Sequence, residues 1–160
     1  MSRSFLDVLR TGWPVVLDMA ATMPGPPEVV WRLITDWEHQ DDWMLEASDF
    51  VVLTEQREGI GVEAEASITI GGITTRDRVR VSRWEVEKVL GIEHLGWVSG
   101  EGEIFITPVG ETTHLFWRET LKPPLGILGT IGLTLFKPLM SRIFRRDLRV
   151  LQSLVRAAGS

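Results

Sequence analysis

The chain has 160 residues, 44% hydrophobic and 24% charged, with no cysteine and a net charge of −5. That length and composition suit one globular domain with its own core, and the missing cysteines exclude disulfides and thiolate chemistry. Residues 1–121 hold ten Lys/Arg against twenty-one Asp/Glu, −11, an acidic body that argues against nucleic acid as the main partner.

At the N-terminus the longest apolar run is soon broken by Asp18, and no small-residue cleavage site follows. A signal peptide is therefore not expected, and a reducing cytoplasm is the expected location. Residues 14–24 read as a first strand. Pro26 and Pro27 then suit the first turn of a helix, where a missing N–H costs nothing. Val30, Leu33, Ile34 and Trp37 recur with helical spacing, and a second short helix or turn runs on to Trp43. Residues 26–43 thus gather Trp31, Trp37 and Trp43 within eighteen positions, as core, as cavity wall, or as both.

From residue 49 to 121 the period becomes two. Gly71–Gly72 follows the alternating run at 62–70 and predicts a two-residue hairpin in which Ile70 pairs with Ile73. Glu65 then faces Arg78 and Glu63 faces Arg80 on the outer face. Val62, Ala64, Ala66 and Ile68 line the inner face with Val81, Val79, Asp77 and Thr75. A second hairpin turning at Gly110–Glu111 puts Glu103 opposite Arg118 outside. Ile104, Ile106, Leu115, Trp117 and Glu119 then fall inside. Between the hairpins, residues 89–97 pair back on 77–84, which places His94 opposite Val79 and diagonal to Asp77.

The remainder predicts a long C-terminal helix. Met140, Ile143, Phe144, Leu148, Val150, Leu151, Leu154 and Val155 form one face, with Asp147 in the middle of that stripe. Arg142, Arg145, Arg146, Arg149 and Arg156 form the other face, and Pro138 is expected to start or kink the helix. Residues 122–160 hold seven Lys/Arg against one Asp/Glu, +6, so an anionic membrane surface can meet the chain through 123–149. The apolar run 123–136 is fourteen residues long, short of the ~20 that cross a bilayer. Gly126, Gly129 and Gly132 lack the spacing of a P-loop or dinucleotide fingerprint and read as close packing or a flexible gate. His39, Asp41 and Asp42 have ligand-type side chains but no second cluster, so no metal and no cofactor is expected.

The order is one strand, two short helices, about six antiparallel strands and a long helix. It predicts an α+β domain, a curved sheet of about seven strands with the helix over its concave side. The stretch PPEVVWRLITD followed by Trp43, then GIGV at 59–62, GEGEIFITPVGETTHLFW at 100–117 and the terminal helix resemble the START-like, helix-grip (SRPBCC) superfamily. The likeness is to its bacterial polyketide cyclase/dehydrase and lipid-transport branch, over roughly residues 14–158 of a single domain. It implies a hydrophobic cavity between sheet and helix for a lipid, sterol, polyketide or aromatic compound, and it carries no fixed catalytic motif.

Periodicity and this resemblance together nominate Trp43, Ala66, Ile68, Asp77, Val79, His94, Ile104, Trp117, Glu119, Met140, Ile143 and Asp147 as ligand-lining. Asp77, His94, Glu119 and Asp147 are titratable groups on an apolar surface. Such groups form a structural network, hold a ligand's polar end, or do acid–base work. In the last case His94 is the base with Glu119 or Asp147 as its partner. Three functions follow: a carrier of a small hydrophobic molecule, a cyclase, aromatase or dehydratase, or a protein-interaction module with a filled core. Oligomeric state is not legible.

Overall fold

In the computed structural model, which describes residues 4–159, the chain opens with a short helix, α1 (Phe5–Thr11). Strand β1 (Val15–Met23) follows, then α2 (Pro27–Ile34) and a 3₁₀ helix (Trp37–Asp42). The next strands are β2 (Ala47–Val52), β3 (Glu63–Ile70), β4 (Ile73–Glu85) and β5 (Val89–His94). After β6 (Ser99–Val109) and β7 (Thr112–Lys122) comes α3 (Gly126–Ala158). All seven strands form one antiparallel sheet ordered β1-β7-β6-β5-β4-β3-β2. Bulges at Ser48–Val51 and Val81–Arg83 bend the β2–β5 side.

The strand registers follow the sequence pattern. Ile70 pairs with Ile73, Glu103 with Arg118, and His94 with Val79. Most inward positions are therefore apolar, with Asp77, His94 and Glu119 as ionisable exceptions. Leu17, Met23, Ile34, Val62, Val81, Leu115, Leu151 and Val155 are all but completely buried, each worth roughly 1.5–3 kcal/mol over exposure. On the outer face the register holds but the ion partners shift. Glu63 accepts from both Arg78 and Arg80, Glu65 takes Arg76, and Arg118 holds Asp18 in a two-pronged pair at 2.7 and 2.8 Å. Arg80 and Arg118 bond the residues directly opposite them, Glu63 and Asp18, whereas Arg76 and Arg78 reach diagonally to Glu65 and Glu63.

Two elements depart from expectation. Helix α1 was not foreseen from the sequence; it buries no residue of its own, so a core-facing pattern had nothing to reveal. Pro138 does not start α3, which begins twelve residues earlier and carries the proline inside. The glycine-containing run is thus the first third of that helix. The rear half of α3 packs on β1 and α2 through Phe144, Leu148, Leu151 and Val155, and Gln152 donates to the Thr22 carbonyl at 2.9 Å.

Candidate functional site

The inner surface of the sheet does not fill completely. A cavity of about 80 Å³ remains, lined by β3–β7 through Ala66, Ile68, Asp77, Val79, His94, Ile104 and Trp117. Its opposite wall is the end of α2, the 3₁₀ helix and β2, including Trp37, Trp43, Met44 and Phe50. The tryptophans divide the work. Trp43 meets Trp117 edge-on with centroids 6.0 Å apart, while Trp31 turns away from the cavity and packs at 5.0 Å on Trp84. Trp37 both lines the cavity and donates its indole N–H to the Arg57 carbonyl at 2.8 Å.

Eight of the twelve nominated residues therefore reach the cavity: Trp43, Ala66, Ile68, Asp77, Val79, His94, Ile104 and Trp117. Four do not. Met140, Ile143 and Asp147 belong to α3, which lies toward the β1 edge and contributes Phe144 stacked behind Trp117 at 5.1 Å. The cavity wall is the 3₁₀–β2 segment instead, because α3 is held against β1. Glu119 is buried one layer behind His94.

The polar end of the cavity is one connected chain. His94 lies between two carboxylates, Nδ1 at 2.7 Å from Asp77 Oδ2 and Nε2 at 3.0 Å from Glu119 Oε2. Trp117 donates its indole N–H to the other Glu119 oxygen at 2.7 Å. Opposite Glu119 stands Gly102, where a Cβ would come within 2.5 Å of Glu119 Oε1, so only glycine leaves room for the carboxylate. Burial works against charge on the imidazole, but Glu119 and Asp77 outweigh it and raise the His94 pKa to about 10. At neutral pH His94 is an imidazolium that donates from both ring nitrogens. It has no lone pair to take a proton, so the base role expected from the sequence is not available to it. What faces the cavity is the imidazolium and one carboxylate, Asp77, with Glu119 behind them.

Among the described residues no group of three His, Cys, Asp or Glu stands ready to hold a metal. His39 pairs with Asp36 at 3.0 Å, on the exposed side of the 3₁₀ helix. The sequence matches the family described as polyketide cyclase / dehydrase and lipid transport over residues 14–156. The chain belongs to that family.

No curated protein matches the sequence. Solved structures share its helix-grip fold. A protein from Thermus thermophilus superposes with a TM-score of 0.78 at 24% identity, covering 91% of this chain and 100% of its own. The Zhui aromatase/cyclase from a Streptomyces species gives 0.74 at 15%, covering 92% and 96%. A START superfamily protein from Mycobacterium smegmatis gives 0.75 at 16%, covering 89% and 98%.

This polyketide cyclase/dehydrase and lipid transport family member has a second buried polar cluster that the sequence reading missed. Asp147 does not join His94. It accepts from the Leu45 N–H at 3.4 Å and from its neighbour Arg146 at 3.3 Å, beside the buried Glu46. Arg146 stands 3.7 Å from Glu46, and Glu46 Oε2, Asp147 Oδ2 and the Trp43 indole nitrogen are buried without a hydrogen-bond partner. Burial first, then the Asp147 carboxylate, push the Glu46 pKa up to about 8. A carboxylate in the apolar stripe of α3 was the one available signal. Its partner lay in a loop with no periodicity to place it.

Proposed function

We propose that the protein is a cytoplasmic carrier of a small, uncharged hydrophobic molecule bearing a hydroxyl or similar hydrogen-bond donor. The observation that carries this reading is the cavity itself, apolar on all sides except one end where His94 is locked between Asp77 and Glu119. Both imidazolium protons are already used, so an incoming carboxylate finds no free cation and meets the like charge of Asp77 at the wall, with Glu119 behind it. A phenol or alcohol instead offers a proton to Asp77. At about 80 Å³ the cavity is below the roughly 300–1,000 Å³ of a drug-sized ligand site, so a bound molecule must be small or push the wall outward. The segment 37–50 is the part suited to yield. It holds a non-helical His39 inside its 3₁₀ turn, a left-handed Asp49 and the β2 bulge.

Calorimetric titration with 1-naphthol and 1-naphthoate at pH 7.5 tests this reading. The naphthol is expected to bind at least about tenfold tighter, since a like-charge contact in a site that excludes water costs several kcal/mol. Equal or tighter binding of the naphthoate overturns the assignment.

The likeness to an aromatase/cyclase favours a second reading, ring closure of a bound polyketide. It requires a base other than His94, and Asp77 is the carboxylate at the cavity wall that fits the role. Under that reading Asp77→Asn abolishes turnover and leaves binding in place, whereas under the carrier reading it shifts affinity alone.

A further inference from the structure

The front of α3 departs from the behaviour of a core helix. Leu125, Leu128 and Leu135 are each more than 70% exposed, Ile131 is about half exposed, and Phe5 and Leu6 of α1 are again above 70%. No charged residue occurs from Pro123 to Phe136. These side chains form one surface because α1 is pressed onto the start of α3. Thr130 donates to the Trp13 carbonyl at 3.1 Å, and a Cβ on Gly126 would come within 2.4 Å of the Arg10 carbonyl. A cluster of large apolar side chains exposed together in this way marks an interaction surface.

Its charge pattern says what covers it. On α3 the outward line Leu128, Ile131, Leu135 and Leu139 continues in steps of three and four residues to Arg142 and Arg149. Arg142, Arg145 and Arg149 are exposed, and among the described residues they have no acidic partner. The one acidic residue of α3, Asp147, is fully buried. A second copy of this chain would bring the same unpaired arginines toward each other, and an acidic body cannot lie against its own exposed leucines without losing solvation. We propose that the α1–α3 face docks on an anionic lipid bilayer, with the leucines in the acyl boundary and the arginines at the phosphates.

The geometry is that of a helix lying on the membrane. By length and composition α3 could cross a bilayer, but Phe144, Leu148, Leu151 and Val155 tie its rear half into the core. Docking also sits beside the cavity. Phe136 and Leu139 lie against Gly71 at the tip of the β3–β4 hairpin, whose strands supply Ala66, Ile68 and Asp77 to the cavity wall. A membrane at this face would meet the tip of the hairpin that supplies part of the cavity wall.

Co-flotation with phosphatidylcholine vesicles, with and without 30 mol% phosphatidylserine, tests the proposal on the whole chain. The protein is expected to float with the anionic vesicles, weakly with the neutral ones, and less as salt rises. Two doubly substituted variants, L128E/L135E and R142E/R149E, are each expected to lose binding roughly tenfold or more. Both alter exposed positions, and an unchanged circular dichroism spectrum and unchanged 1-naphthol affinity show that fold and cavity survive. Two outcomes overturn the proposal: equal flotation of both variants with wild type, or a wild-type dimer in light scattering that L128E/L135E makes monomeric with no anionic-vesicle binding by either. Docking goes beyond the carrier reading, and the naphthol titration separates failure of one from failure of the other.

Discussion

At the scale of single residues, His94 is the position where most of the chemistry is decided. Its two ring protons are committed to Asp77 and Glu119, and its pKa of about 10 lies above the 6.5 of a free imidazole. Because the folded-state pKa is raised, the stability it contributes is complete below pH 6.5 and is lost as pH rises through 10. Proton-detected nitrogen NMR at pH 7.5 is expected to show both imidazole N–H signals, unchanged from pH 6 to 8.5; titration of His94 near pH 6.5 contradicts the pairing. His94→Gln removes the cation and leaves two carboxylates facing each other, at a cost of about 3 kcal/mol. That cost is read from chemical denaturation at pH 7 and narrows toward pH 10. The inward place of Asp77 was legible in the sequence because a two-residue turn at Gly71–Gly72 fixes the β3–β4 register, whereas that of His94 depends on the turn between β4 and β5, and Glu119 and Asp147 were equal candidates for its partner. A period of two then carries Asp77, His94 and Glu119 to the same face. The charge state was not legible, since it depends on sub-ångström placement of three side chains and on how deeply each is buried.

At the scale of elements, the junction between α3 and the loop before β2 is the counterpart of that network. Asp147 accepts from the Leu45 N–H, and the neutral form of Glu46 sits against it. Glu46 has its folded pKa raised from 4.5 to about 8, so its contribution is complete below pH 4.5 and lost as pH rises through 8. Glu46→Gln keeps the shape and cannot ionise. Its melting temperature is expected to exceed that of wild type by an amount that grows from pH 5 to pH 8, and a gap that stays constant or shrinks would show that Glu46 ionises freely in the fold. The elements themselves divide by how they were encoded. Strands and the rear of α3 follow a strict period against a core, and the sequence shows them. Helix α1 and the front of α3 bury their apolar residues against each other or not at all, so a core-facing pattern could neither place α1 nor move the start of α3 from Pro138 to Gly126.

At the scale of the whole molecule, the sheet and α3 do not press evenly on one another. The helix is drawn to β1 by Phe144, Leu148, Leu151 and Val155, and the β3–β6 side of the concave face is left to the 3₁₀ helix and β2. This asymmetry explains why Met140, Ile143 and Asp147 lie outside the cavity and why the 3₁₀–β2 side of its wall, Met44 and Phe50 included, was not nominated. It also separates three tasks along the fold: a packed rear, a cavity in the middle, and a front whose leucines face outward. The middle cavity is the place proposed for the cargo. Native mass spectrometry of wild type and Ala66→Phe with added 1-naphthol tests it most directly, because Ala66 is a buried wall residue whose enlargement fills the space. A one-to-one naphthol complex is expected with wild type, and a bare protein mass for Ala66→Phe at the same concentration. Equal occupancy of the two proteins, or a bare mass for both, contradicts it.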